Sequence, residues 1–259
     1  MLFRSRDRKM VFGYELLPFS EYGLSIPIRL EIGSYPHMLI TGASGSGKSM
    51  TLLFLLGKLL QCYPDIEMYL CDFKNSDDFS FLEGYPYYYT GADCYTGVME
   101  YYEKFSEIRA DREKQNQKRY VLIFDEYPAF INFLNMRDKA NKTKLANDIL
   151  GAVSEILMLG RGISCGIWLL TQRADSTLFS NGARDNFMVI TGLARMSKEQ
   201  KGMIFPGQEI SIDNLGAGEG MLLADGREIT SVKYPIIQDI SDWKRHILSI
   251  LQRADNSPI

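Results

Sequence analysis

The chain has 259 residues, 46% hydrophobic and 24% charged, an ordinary globular composition that can bury one large core with a small appendage. A net charge of -3 leaves no bulk basic footprint for nucleic acid, so any such contact must come from local basic loops. The longest apolar stretch, Leu52 to Leu60, is broken by Gly57 and Lys58 and reads as too short for a membrane span, and the charged Met1 to Met10 reads as no secretory leader, so the expectation is a soluble, cytoplasmic protein.

From the N-terminus, Arg4 to Lys9 form a basic run that reads as a solvated terminus. Leu24, Ile26, Ile28, Leu30 and Ile32 then alternate with Ser25, Pro27, Arg29 and Glu31, the period of a half-buried strand, and Pro27 predicts a sheet edge. Residues 1–35 are expected to form a small β flap ahead of the main domain, 36–259. In that domain short apolar strands alternate with helices, as in a parallel sheet covered on both faces. The predicted strands are His37 to Thr41, Glu67 to Phe73, Tyr120 to Phe124, Gly166 to Thr171 and Phe187 to Thr191. Ser49 to Gln61 reads as a helix buried nearly all round. Val98, Tyr101, Phe105 and Ile108 mark the inner face of a second helix, and Leu145, Ile149, Val153, Ile156 and Leu157 that of a third. Ser241 is placed to cap a last helix with Trp243, Ile247 and Ile250 inward. Cys62, Cys71, Cys94 and Cys165 lie far apart, which suits buried free thiols better than a metal site or disulfides.

Gly42-Ala43-Ser44-Gly45-Ser46-Gly47-Lys48-Ser49 fills every fixed position of G-x-x-x-x-G-K-[ST], directly after an apolar strand and before a helix. A polyphosphate needs inward-turned backbone N–H groups, which crowd out a Cβ at Gly42, Gly45 and Gly47, and the helix adds its positive end. The loop with its next residue, Met50, forms the expected nucleotide-binding set. Lys48 should reach the β- and γ-phosphates of ATP, and Ser49 should place its hydroxyl on Mg²⁺. The strand Tyr120 to Phe124 ends in Asp125 and Glu126, where an open parallel sheet presents ligand-binding residues. Asp125 is expected to face Mg²⁺ through a water, leaving Glu126 to deprotonate the attacking water. Gln172, ending the strand from Gly166, reads either as a γ-phosphate sensor or as a satisfied strand-end amide.

The chain resembles the FtsK/SpoIIIE branch of the FtsK and HerA superfamily of DNA-pumping ATPases, which includes conjugative coupling proteins. The resemblance runs through Pro36-His37-Met38-Leu39-Ile40, Cys71-Asp72-Phe73-Lys74, Leu82-Glu83-Gly84-Tyr85-Pro86 and Asp125-Glu126. It continues through Gly160-Arg161, Thr171-Gln172-Arg173 and Gly218-Glu219-Gly220-Met221-Leu222. It implies an α/β, RecA-like P-loop fold with a mostly parallel central sheet flanked by helices. It also implies a ring, a hexamer, in which Arg161 is the finger offered to a neighbour's nucleotide; the other reading of Arg161 is a helix C-terminal charge. By the same resemblance Arg173, Arg195, Lys198 and Lys201 lie near pore loops that grip DNA phosphates, or else on plain solvated loops. Two departures stand out: Phe130 to Lys144 is longer and more polar than in chromosome translocases, and neither a membrane anchor nor a sequence-reading C-terminal module is found. They favour a plasmid-transfer or mobile-element relative, or an excised motor domain, recruited to the inner face of the cell membrane by a transfer-machinery partner. The expected function is translocation of double-stranded DNA driven by ATP hydrolysis. The alternatives are a protein-secretion motor and a scaffold that only binds nucleotide.

Overall fold

The computed structural model describes residues 8–173, 185–208, 210 and 214–255; residues 4–7 of the basic run lie outside them. In chain order the elements are β1 (Lys9–Glu15), α1 (Leu16–Tyr22), β2 (Pro27–Glu31), β3 (His37–Thr41), α2 (Lys48–Cys62), β4 (Glu67–Asp72), β5 (Tyr88–Thr90) and α3 (Cys94–Ala110). They continue with β6 (Tyr120–Asp125), α4 (Tyr127–Asn141), α5 (Leu145–Leu159), β7 (Cys165–Thr171), β8 (Val189–Leu193) and α6 (Lys198–Ile204). The chain closes through β9 (Glu219–Ala224), β10 (Thr230–Lys233) and α7 (Ile240–Asp255). They fall into two compact units, one of residues 36–40 and 67–188, the other of residues 1–35, 41–66 and 189–259.

The first unit carries the parallel strands, in the order β3-β7-β6-β4-β5. The pairs β4–β5, β4–β6 and β6–β7 are all parallel. All seven residues of β7 and five of the six in β6 are buried. Such strands, covered on both faces, need an unbroken apolar run rather than an alternating one, which is why the sequence shows them clearly. Helices α3, α4 and α5 pack together beside them. In this order β7 lies between β3 and β6, so the strand that leads into Gln172 is flanked by the one leading to the phosphate loop and the one ending in Asp125.

The second unit is antiparallel, in the order β2-β1-β10-β9-β8. β2 is the outermost strand and Pro27 begins it, as its missing N–H requires. The strand is shorter than the predicted 24–32, because Leu24 and Ile26 are exposed and precede it. β1 has no counterpart in the sequence reading: a register shift between Val11 and Gly13 inserts Phe12 and breaks the two-residue alternation. The polar stretch after Phe130 is helical as far as Asn141. α4 buries Tyr127, Phe130, Ile131 and Leu134 near its start and exposes most of the rest, so no apolar period runs its full length. α7 starts one residue before Ser241, and its cap is Asp239, whose Oδ1 accepts the Asp242 N–H at 2.8 Å. Ile247 faces inward as expected, whereas Trp243 and Ile250 are half-buried. All four cysteines are free thiols.

Candidate nucleotide-hydrolysis site

The phosphate loop runs from β3 into α2. Gly45 and Gly47 have φ of 79° and 90°, a left-handed backbone that only glycine adopts without strain. A Cβ on Gly47 would also lie 2.8 Å from the Gly218 backbone nitrogen, and that nitrogen donates to the Ser46 carbonyl at 3.0 Å. The loop is therefore fixed from outside by the turn before β9. Lys48 Nζ donates to the carbonyls of Gly42 at 2.6 Å and Ala43 at 3.1 Å, which holds the ammonium over the loop it belongs to. The buried Ser46 Oγ has no hydrogen-bond partner among the described residues, while Ala43, Ser44 and Gly45 are exposed. Ser49 and Met50, in the first turn of α2, are half-buried. Glycine conformation, a positioned ammonium and accessible loop amides at a helix N-terminus all fit a polyphosphate.

The carboxylates belong to the other unit. Asp125, 5% exposed, is the last residue of β6, and Glu126, 4% exposed, follows it. Glu126 takes φ 60° and ψ 42°, a left-handed conformation that costs a non-glycine residue on the order of 1 kcal/mol. The strand gives way to α4 through this single residue, whose carbonyl accepts the first N–H groups of the helix, from Ala129 at 3.1 Å and Phe130 at 3.3 Å. Buried rings behind it hold the turn: Tyr127 meets Phe124 edge-on at 5.5 Å, and Phe130 lies 5.1 Å from Phe124. Glu126 Oε1 accepts from Lys74 Nζ at 2.7 Å and from Gln172 Nε2 at 3.2 Å.

Gln172, read from the sequence as a sensor or a strand-end amide, thus bonds the carboxylate of Glu126. Lys74 was given no role by sequence reasoning. The available signal was its position just past the end of β4, the strand paired with β6, since Asp72 and Asp125 are register partners at the edge where parallel sheets gather functional groups.

Arg161 lies elsewhere in this unit, in a 3₁₀ turn that precedes β7. Gln172 follows the other end of that seven-residue strand, roughly 20 Å away at the rise of an extended chain. Arg161 is exposed, and no carboxylate among the described residues pairs with it. Its turn is held by Asn116, which donates to the Gly162 carbonyl at 3.3 Å and accepts from Ser164 Oγ at 2.7 Å. Among the expected cargo contacts, Arg173 is exposed at the end of β7. Arg195 and Lys198 are exposed between β8 and α6, and Lys201 is half-buried. Ser197 caps α6 with Gln200 in a reciprocal box, which makes Lys198 the first residue of the helix.

The sequence model of the FtsK/SpoIIIE family matches residues 14–214. The chain is 25% identical over 239 residues to the FtsK domain-containing protein YdcQ of Bacillus subtilis (strain 168), covering 86% of this chain and 48% of that protein; it spans about half the length of this relative. In fold it is similar to the cytoplasmic domain of the type VII secretion ATPase EccC of Thermomonospora curvata, with a TM-score of 0.69, 18% identity, and coverage of 99% of this chain and 32% of that one. It is similar in fold also to the pCW3 conjugation coupling protein TcpA in its monomer form with ATPgS, with a TM-score of 0.70, 17% identity, and coverage of 95% and 71%. The chain belongs to the FtsK/SpoIIIE family and is an ATP-hydrolysing enzyme with a mixed α/β P-loop fold.

Proposed function

We propose that this ATPase is the motor domain of a DNA translocase, which moves double-stranded DNA through a hexameric ring of its own copies in plasmid or mobile-element transfer or in DNA segregation. The loop Gly42 to Met50 binds ATP, with Lys48 on the β- and γ-phosphates. The Ser49 hydroxyl and the Asp125 carboxylate are hard oxygen donors of the kind that would hold Mg²⁺, which when bound would supply positive charge against those phosphates. Glu126 accepts a proton from water, whose oxygen bonds the γ-phosphorus as the bond to the bridging oxygen of the leaving ADP breaks. Gln172 holds Glu126 in place. Arg161, exposed and without a carboxylate partner among the described residues, supplies a positive charge to the nucleotide of the neighbouring subunit.

The observation that carries the DNA half is Lys198. A cation at the first position of a helix opposes the helix dipole, so α6 gains nothing from it; beside the exposed Arg195 it suits a grip on phosphates that reads no bases. Arg173 and Lys201 are assigned to the same task. Among the described residues no helix is long and apolar enough to cross a membrane, and we assign the motor to the cytoplasm, recruited to the membrane by a transfer-machinery partner.

The fold likeness to a secretion ATPase supports a second reading, a motor that moves polypeptide. ATP turnover measured with and without linear duplex DNA, at several protein concentrations, decides between them. A DNA motor is stimulated, and its DNA affinity falls steeply as salt rises. Turnover indifferent to DNA, with no salt-dependent binding, favours the polypeptide pump.

A further inference from the structure

Lys74 makes the shortest contact to the carboxylate of Glu126, and the chain fixes the turn that carries it from both sides. On one side is Asp72, the fully buried last residue of β4. Its Oδ2 accepts the Ser76 N–H at 2.8 Å, the Ser76 hydroxyl at 3.3 Å and the Tyr88 hydroxyl at 3.3 Å. Its carbonyl accepts the Asn75 N–H at 3.2 Å, and Asn75 has φ 53°. Residues 72–76 thus close into a tight turn on a buried carboxylate. On the other side Phe73 packs between Phe130 and Phe133 of α4, each ring 5.4 Å away. The residue on the N-terminal side of α4 is Glu126 itself, so turn and glutamate are anchored to one helix.

Lys74 is not a buried structural ion: its side chain is 48% exposed, against 6% for that of Glu126. Solvent screens the half-exposed ammonium, and the turn that carries it is already closed by Asp72 and packed through Phe73. What the pair controls is direction. Lys74 and Gln172 both donate to Oε1, and no described residue hydrogen-bonds Oε2.

We propose that Lys74 is a positioning residue for hydrolysis, holding Glu126 by Oε1 so that Oε2 is the oxygen that accepts the proton of the attacking water. This rests on the assignment of Glu126 as general base. Lys74 supplies neither proton nor phosphate contact in this role; it sets the rotamer of the base, with Gln172 as the second, neutral donor.

The test is steady-state ATP turnover and nucleotide binding by the full chain carrying Lys74→Ala, Lys74→Arg, Glu126→Gln and the double substitution Lys74→Ala with Glu126→Gln. Loss of a charge-assisted contact from a catalytic group costs roughly ten- to hundredfold in rate. Lys74→Ala is expected to lower kcat by that factor with KM and ATP affinity nearly unchanged. Lys74→Arg, which keeps a donor cation, should recover much of the rate, and the double variant should be no slower than Glu126→Gln alone. Lys74→Ala with an unchanged or raised kcat overturns the inference. So does a raised KM at constant kcat, which marks a nucleotide contact, and so does a further loss in the double variant. If Glu126→Gln itself turns over normally, the general-base assignment has failed instead, a result distinct from Lys74→Ala leaving an otherwise Glu126-dependent rate intact.

Discussion

The indole Nε1 of Trp243 donates to the backbone carbonyl of Leu53 at 2.9 Å, inside the helix that begins at Lys48. The carbonyl is reachable because the residue one turn on is Gly57: a Cβ there would collide with the indole ring. The ring also stacks on Phe54 with centroids 6.4 Å apart, clasping α7 to α2. Glycine within a helix costs about 1 kcal/mol relative to alanine, so Gly57→Ala should stabilise α2 if propensity decided the matter. We expect the reverse, a loss of about 1–3 kcal/mol from overpacking, read from urea midpoints. Trp243 fluorescence, isolated by subtracting a Trp243→Phe variant that keeps Trp168, should shift toward the solvent-exposed value. A stabilised Gly57→Ala protein would mean that the clasp is looser than these distances imply.

Binding and hydrolysis should separate by substitution. Lys48→Ala removes the ammonium held over the phosphate loop and is expected to abolish measurable ATP binding in calorimetry with Mg²⁺. Glu126→Gln keeps the size of the side chain but not a proton acceptor, so it should bind ATP near normally while turnover falls by about two orders of magnitude or more. Equal affinity in Lys48→Ala and the parent would remove the loop from the nucleotide site.

Much of this arrangement was legible in the sequence, for a physical reason that also explains the gaps. β3, β4, β6 and β7 are buried on both faces, so they appear as uninterrupted apolar runs. β10 buries one residue in four, Val232, and β1 carries a bulge; neither leaves a period long enough to recognise. The phosphate loop is a local motif whose eight positions do their work together, and it stands out for that reason. The pairing of Lys74 with Glu126 spans 52 residues, so no window of sequence contains it, and only the pairing of β4 with β6 brings the two together. Asp239 rather than Ser241 caps α7; both residue types serve, and only the start of the helix distinguishes them.

Arg161 lies at the opposite end of β7 from Gln172, too far along the strand to serve the same carboxylates. Arg161→Ala should therefore keep ATP binding and lose turnover in an assembly of identical subunits. The informative experiment mixes subunits: Lys48→Ala, which keeps the proposed finger but not the proposed ATP site, is combined with Arg161→Ala, which keeps that ATP site but not the proposed finger. Activity above that of either variant alone is expected, because one kind of interface pairs an intact loop with an intact finger. No recovery across mixing ratios, in oligomers verified by light scattering, would leave Arg161 without a role in a neighbour's site.

His37 gives the chain a predictable acid sensitivity. It is fully buried at the start of β3, with neither ring nitrogen hydrogen-bonded among the described residues. Burial, and then the positive charge of Arg161, push its pKa from 6.5 down to about 3. The folded chain thus keeps this imidazole neutral where the unfolded chain protonates it. Unfolded molecules bind more protons between about pH 6.5 and 3, so stability falls as pH drops through that window and is unaffected by this residue above it. Lowering the pH from 7.5 to 5.5 should cost about 1.4 kcal/mol through His37 alone. His37→Phe cannot take up the proton, so its urea midpoint should fall less over the same interval, whatever the substitution does to stability at pH 7.5. The quantity to compare is the slope against pH, and parallel slopes for the two proteins would show that the folded state accommodates a charged imidazole after all.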